Sequence, residues 1–309
     1  MRNAFFETLR QLMERNRKIV FMTGDLGYKL FDGIAAQYPD RVINAGIREA
    51  AMVGIAAGLS KEGFLPLVYS IVPFVTLRCM EQIRVDLCYN NLPAVLVGVG
   101  SGLAYGANGP THMGIEDVGA MGALPNMTIL SPCDAVEVRT LLPQAVRLKS
   151  PVYLRLARSG EPTCHGESSG RPLKIGCPSV LQEGTDATVV TYGVMTGEVL
   201  RAARELEKEK GFSLRVVSWH TLKPFREEGM TELFRGDVPV MVIEEQMPGG
   251  GLGSRLALWM KTNAICAPLV HLHLPEAYPN ICGDREYLLS LGGLSKRHIK
   301  DRIAQLLER

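Results

Sequence analysis

No stretch of this 309-residue chain approaches the ~18 consecutive apolar residues that a membrane-spanning helix needs. Nor does one sign of charge dominate. Thirty-four Lys and Arg stand against 32 Asp and Glu, a formal net charge of +2, so nothing marks a nucleic-acid or polyanion binder. The seven cysteines, at 79, 88, 133, 164, 177, 266 and 282, are odd in number, and no Cys-x-x-Cys occurs. Neither a disulfide framework nor a zinc site is indicated, and a reducing, cytoplasmic setting is expected, with most cysteines packed as small apolar groups. The first twenty residues break up their apolar positions with charges, which is unlike a secretory signal. Internal repeats and low-complexity tails are also missing.

What remains is an ordinary globular balance, 46% apolar and 21% charged. At ~150 residues per domain the length suggests two domains. Short apolar runs at 18–23, 42–45, 66–71, 94–99, 128–130 and 152–156 alternate with helix-like stretches at 48–61, 74–90, 115–124 and 134–149. The alternation restarts later, with strands at 187–192, 214–218, 240–244 and 269–274 and helices at 196–210, 251–262 and 294–307. This pattern predicts an α/β fold of two domains, each a largely parallel sheet flanked by helices. Residues 159–178, rich in Gly, Pro and Ser, break it. The expected division is a first domain at 1–160, a linker at 161–183 and a second domain at 184–309.

Five segments could carry chemistry. In Asn44-Ala-Gly-Ile-Arg-Glu49 a strand ends and a helix begins, so Glu49 falls at the carboxyl edge of the sheet, where open α/β folds place ligands. The helix behind it carries almost no charge, an environment suited to proton exchange, although a helix-capping Glu has the same position. Phe74 opens a second helix bearing Arg78, Glu81, Gln82 and Arg84; it serves as core or as a ligand shelf. The segment 98–117 holds glycines at 98, 100, 102, 106 and 109 and His112 beyond them. It lets backbone approach a ligand closely, yet it is neither a dinucleotide fingerprint nor a P-loop. Arg155 and Arg158 end the first domain's last strand and could clamp a phosphate or carboxylate, or be edge charges. The strand–loop–helix at 242–254, with Gly249-x-Gly251-x-x-Ser254, could bind an anion or simply pack closely.

Taken in order, these segments resemble the thiamine-diphosphate enzymes of the transketolase group. Asn44-Ala-Gly-Ile-Arg-Glu49 is similar to that group's N-x-G-I-x-E. Ser70-Ile-Val-Pro-Phe74 with Arg78 and Glu81-Gln-Ile-Arg84 resembles its S-F…F…R…Q-I-R helix. Gly109-Pro-Thr-His112 followed by Ile115-Glu-Asp117 resembles its D-G-x-T-H-x-x-I-E-D loop. Leu222-Lys-Pro224 and Val242-Ile-Glu-Glu245 with Gly250-Gly-Leu-Gly253 are similar to its C-terminal domain. The group's Gly-Asp-Gly…Asn motif, which holds the diphosphate and Mg2+ in a further domain, has no counterpart here. The resemblance therefore implies the pyrimidine-binding and C-terminal domains of a split transketolase. Such a chain is active with a separate diphosphate-binding subunit, in two copies of each, and transfers a two-carbon ketol unit from a ketose phosphate to an aldose.

The resemblance also implies roles. Glu49 matches the carboxylate on the cofactor's aminopyrimidine ring, Phe74 the aromatic packed against that ring, and Ile47 and Arg78 its neighbours. His112 matches a histidine on the donor oxygens. Arg158, with Arg155 as rival, matches the sugar-phosphate arginine, and Asp25 and Asn108 fall in the substrate-binding set. No metal ligand is expected in this chain. Asn108 stands where the group has an acidic residue and Met113 where a polar one is common, which points to an altered donor pocket. The other readings are the beta subunit of a 2-oxo-acid dehydrogenase, a deoxyxylulose-phosphate-synthase type, or a non-catalytic half that binds a partner.

Overall fold

The computed structural model describes residues 1–27, 29–158, 160–166, 173–225, 233–234 and 236–308. The short Val-, Ile- and Leu-rich runs become strands: β1 (Ile19–Thr23), β2 (Val42–Asn44), β3 (Leu65–Ile71), β4 (Val95–Val99), β5 (Thr128–Leu130) and β6 (Val152–Leu156). Later in the chain come β7 (Ser179–Gln182), β8 (Ala187–Thr191), β9 (Leu214–Ser218), β10 (Thr221–Lys223), β11 (Val240–Ile243) and β12 (Leu269–Leu272). They form a seven-stranded sheet in the order β10-β5-β6-β4-β3-β1-β2 and a five-stranded sheet in the order β12-β11-β8-β9-β7. Both are parallel except at one edge each, where β10 runs against β5 and β7 against β9. The two mainly parallel sheets follow from the sequence pattern. Their central strands are buried along their whole length, as sheets covered on both faces require.

Helices cover these faces: α1 (Arg2–Arg15), α2 (Glu49–Lys61), α3 (Asp117–Gly122), α4 (Ala135–Ala145), α5 (Met195–Lys210), α6 (Leu252–Thr262), α7 (Arg285–Leu291) and α8 (Lys296–Leu307). One apolar cluster lies on a single face of the first sheet, around Phe5, Phe21 and Tyr69. A second runs from the opposite face of that sheet, at Met22 and Leu96, across to Val190, Val217 and Trp219 of the second. The two sheets thus share a core.

Several local features depart from the periodicity. The stretch expected as one helix at 74–90 is broken into an α turn (Val72–Val75), a 3-10 turn (Leu77–Cys79), a short α piece (Met80–Gln82) and a π segment (Ile83–Tyr89). Pro73 opens it, and Thr76 Oγ1 donates back to the Val72 carbonyl at 2.6 Å, a hydroxyl contact that bends helices. Strand β10, which the periodicity does not predict, adds chain from beyond β9 to the edge of the first sheet; its Lys223 Nζ caps the carbonyls of Gly122 and Leu124.

A buried polar latch ties segment 164–165 to α4. Asp134 Oδ1 accepts the Val136 and Glu137 N–H groups at 2.9 Å, and its Oδ2 accepts those of Cys164 and His165 at 2.8 and 3.0 Å. Glu137 accepts from Cys133 N–H, Ser218 Oγ–H and the His165 ring at 2.7, 2.8 and 2.9 Å.

Candidate active site

Parallel strands end at one edge, so the loops after β1, β2, β3, β4 and β6 converge there. The turn after β2 is built by Asn44. Its Oδ1 accepts the Asp25 and Gly46 N–H groups at 3.1 and 3.0 Å, and its Nδ2 donates to Asp25 Oδ1 at 3.0 Å. Gly46 takes φ +70°, a conformation glycine adopts without steric cost, and the chain then enters α2 at Glu49. Glu49 is 2% exposed. Ser70 Oγ–H, at the end of β3, donates to its Oε1 at 2.9 Å, and Arg78 donates to its Oε2 at 2.9 Å. Its carboxylate also reaches the backbone that follows β1: a Cβ on Gly24 would lie 3.3 Å from Oε1. Burial, and then the negative charge of Glu49, push the neighbouring Cys79 thiol up to about 12.

The broken helix turns Phe74 and Arg78 onto one another. The Arg78 guanidinium carbon lies 4.0 Å from the Phe74 ring centre, within cation–π range. The same ring meets His112 edge to face, with centroids 5.1 Å apart and an interplanar angle of 66°. His112 is half-buried at the end of a 3-10 turn (Pro110–His112), and its Nδ1 lies 2.9 Å from Thr111 Oγ1. Glu49, Arg78, Phe74 and His112 are therefore joined in one continuous chain of contacts. Ser70 belongs to it too; it stands in one of the sequence motifs, but nothing there assigns it a role.

The other expected residues scatter. Ile47 is 76% exposed at the tip of the turn beside Glu49. Asp25 sits across that turn at φ +58°, bonded to Asn44. Asn108 is exposed in the turn Gly106–Asn108. Arg158 is exposed too, with its guanidinium 5.8 Å from the ring of Tyr105 on the same loop as His112. Arg155 lies apart from these. It is 3% exposed and faces inward, donating to Asp117 at 2.8 Å, to the Gly114 carbonyl at 2.6 Å and to Gln246 at 3.3 Å. Its position on β6, between β4 and β5, buries it, and its bonds are spent within the protein. Met113, next to His112, turns its side chain inward. It is 1% exposed and packs among Leu103, Ile115, Leu274 and Leu288.

The site's donor set fits one end of an aminopyrimidine-bearing cofactor. A single buried carboxylate can bond a ring nitrogen, and a half-buried aromatic ring lies beside it. It does not fit a divalent metal. Among the described residues, the groups of His, Cys, Asp and Glu close enough to share an ion are Cys133, Glu137 and His165, and Cys133, Asp134 and Cys164. Both belong to the latch, where the carboxylates are occupied by N–H and O–H donors.

Comparisons with known proteins cover nearly the whole chain. The transketolase pyrimidine binding domain matches residues 1–162, and the transketolase C-terminal domain matches residues 178–299. The chain is 32% identical, over 100% of its length and 95% of the relative's, to the 6-deoxy-6-sulfo-D-fructose transketolase subunit SqwH of Clostridium sp. (strain MSTE9). It is 30% identical to an apulose-4-phosphate transketolase subunit of Phocaeicola vulgatus, covering 96% of this chain and 94% of that one. A solved split gene transketolase, described as an inactive beta4 tetramer, superimposes with a TM-score of 0.88 at 34% identity, covering 100% of this chain and 99% of that one.

Proposed function

This chain belongs to the transketolase family, and we propose that it is the pyrimidine-binding subunit of a split, thiamine-diphosphate-dependent transketolase. Its reaction moves a two-carbon ketol unit from a ketose donor to an aldose acceptor. The observation that carries this reading is the buried Glu49 carboxylate, held by Ser70 and Arg78 and aligned through Phe74 with His112. Stand-alone subunits of similar length among the relatives favour the split transketolase over the other thiamine-diphosphate readings.

Thiamine diphosphate, when bound, supplies the nucleophilic ring carbon that this chemistry needs. Glu49 would bond the far nitrogen of the aminopyrimidine and hold the proton there; burial removes competing water. Phe74 and Ile47 would pack against that ring, and Arg78 would keep Phe74 and Glu49 in register. His112 would bond the donor's oxygens and move a proton at them. Arg158 would meet an anionic group at the far end of the donor. A terminal sulfonate or phosphate suits it, in keeping with the sugars that the relatives are named for. Asn108 and Asp25 complete the proposed substrate set.

The diphosphate and Mg2+ belong, on this reading, to a partner subunit with a Gly-Asp-Gly…Asn motif, in an assembly of two copies of each chain. The odd number of cysteines supports a cytoplasmic setting. We divide the chain within the stretch 161–183 expected as linker, whose last residues, as β7, already pair in the second sheet. The test is Glu49→Gln in the reconstituted pair. Turnover is expected to fall by at least about a hundredfold while the two chains still associate. Retained turnover removes Glu49 from the role.

A further inference from the structure

The loop between β4 and α3 carries His112 on short 3-10 turns, so its anchors decide where the imidazole lies. Its start is tied to the first sheet, where Gly100 and Ser101 N–H groups donate to the Leu156 carbonyl at 2.9 and 3.0 Å. Its neck is closed by reciprocal bonds between Gly102 and Gly114, at 2.8 and 2.9 Å. Further anchors come from the C-terminal domain. Leu103 N–H donates to Glu245 Oε1 at 2.7 Å, and Met247 N–H donates to the Ile115 carbonyl at 2.7 Å. The Leu103, Met113 and Ile115 side chains are buried in the C-terminal domain's core.

Glu245, just beyond β11, is 3% exposed, and such a charge needs a partner. Arg285, at the head of α7, supplies it. Its Nε donates to both carboxylate oxygens at 3.1 and 3.0 Å, its Nη2 to Oε2 at 2.6 Å, and its Nη1 reaches Glu198 at 3.4 Å. Gly102 makes room for this carboxylate: at φ +61°, a Cβ there would lie 2.6 Å from the Glu245 carboxyl carbon. The loop and the pair are fitted to each other.

We infer that Glu245 and Arg285 are positioning residues, a charged pair through which the C-terminal domain fixes the loop and so places His112. Only the kinetic consequence rests on the role proposed for His112; the anchoring stands apart from it. Neither residue belongs to the proposed donor-binding set, and both act through the Leu103 amide.

The test uses the reconstituted complex of the two chains and two readouts. In Arg285→Ala, amide hydrogen exchange over residues 101–116 is expected to quicken by about tenfold or more, while the strands of the first sheet keep their protection. The donor KM is expected to rise on the order of tenfold, because a small displacement of a contacting group weakens its hold on substrate. Affinity for thiamine diphosphate is expected to stay within about twofold, since the bonds of Glu49 to Ser70 and Arg78 and the Arg78–Phe74 contact lie outside the loop. Arg285→Lys restores much of both losses. If Arg285→Ala does not fold, Glu245→Gln keeps the side chain's shape and removes its charge, and the same pattern is expected. Unchanged exchange over 101–116 overturns the inference, as does exchange that quickens equally throughout the chain, or a defect confined to cofactor affinity. If the wild-type complex transfers no ketol unit, the proposed function fails while the exchange pattern still decides the anchoring.

Discussion

Arg155→Met separates a structural role from a substrate-binding one. Arg155 and Asp117 are 3% and 1% exposed, with Arg155 Nε 2.8 Å from Asp117 Oδ2. The same arginine satisfies the Gly114 carbonyl and Gln246, while Tyr153 donates its hydroxyl to Asp117 at 2.7 Å. Methionine fills much of the volume but leaves the Asp117 carboxylate buried with the Tyr153 hydroxyl in place of a cation. Breaking one side of a buried ion pair costs about 3–5 kcal/mol, and a Coulomb estimate at an effective dielectric of ~20 gives a similar size for so short a contact. The expected result is a loss of about 3–5 kcal/mol in urea titration at fixed chain concentration. The double variant Arg155→Met/Asp117→Asn is expected to lose less than the single one, because no charge is then stranded. A loss under about 1 kcal/mol, with a raised KM confined to anionic donors, refutes the reasoning and returns Arg155 to the substrate site.

Three further outcomes follow from the same structure. In the free chain, Cys177, Cys266 and Cys282 are exposed and react promptly with a thiol-specific disulfide reagent, whereas Cys79, Cys88, Cys133 and Cys164 are buried and react only on unfolding. Burial pushes Cys79 to about 12 and Cys88 to about 11, which slows them further; prompt labelling of more than the exposed three contradicts the packing. Gly102→Ala strains both φ and the Glu245 contact, so it is expected to destabilise the chain by about 1–3 kcal/mol in the same titration; a neutral result removes the fit argued for that turn. The latch gives a pH dependence. Burial alone lowers the His165 pKa, but the Glu137 hydrogen bond and charge outweigh it, and the net shift is upward from 6.5. Its contribution to stability is therefore complete below about 6.5 and lost as pH rises through the raised value. His220, lowered by burial, acts in the opposite sense, so the comparison is with His165→Gln. The stability gap between wild type and that variant is expected to narrow as pH rises above 6.5; a gap that widens there contradicts the assignment.

The alternation of apolar runs was enough to read the parallel strands of both sheets, because strands covered on two faces need continuous apolar segments; the antiparallel edge strands β7 and β10 were missed. Glu49 was legible as the first residue of a helix following a strand, since one local segment holds both. Its partners were not. Ser70 and Arg78 lie 21 and 29 residues further on, and Arg78 reaches Glu49 from a helical stretch that is broken just before it. Periodicity over 74–90 cannot register the Pro73 start or the Thr76 back-bond. Arg155 reads equally as an anion clamp or an edge charge because a strand's end says nothing of its neighbours; only the order β4-β6-β5 buries it, and Asp117 meets it across 38 residues. Met113 follows His112 in sequence, yet its extended backbone, φ −78° and ψ 137°, accompanies a side chain buried in the second core. Strand β10, Thr-Leu-Lys, carries one aliphatic residue between two polar ones and pairs antiparallel at the sheet edge, so it shows no apolar run.

The most direct test of the central claim is a titration of this chain with the proposed partner, a chain carrying Gly-Asp-Gly…Asn, following ketol transfer with thiamine diphosphate and Mg2+. Donors would include a ketose phosphate and a sulfonated ketose. The expected curve starts from no turnover by either chain alone and saturates at equal amounts of the two. Turnover by this chain without its partner, or none at any ratio with either donor, contradicts the account.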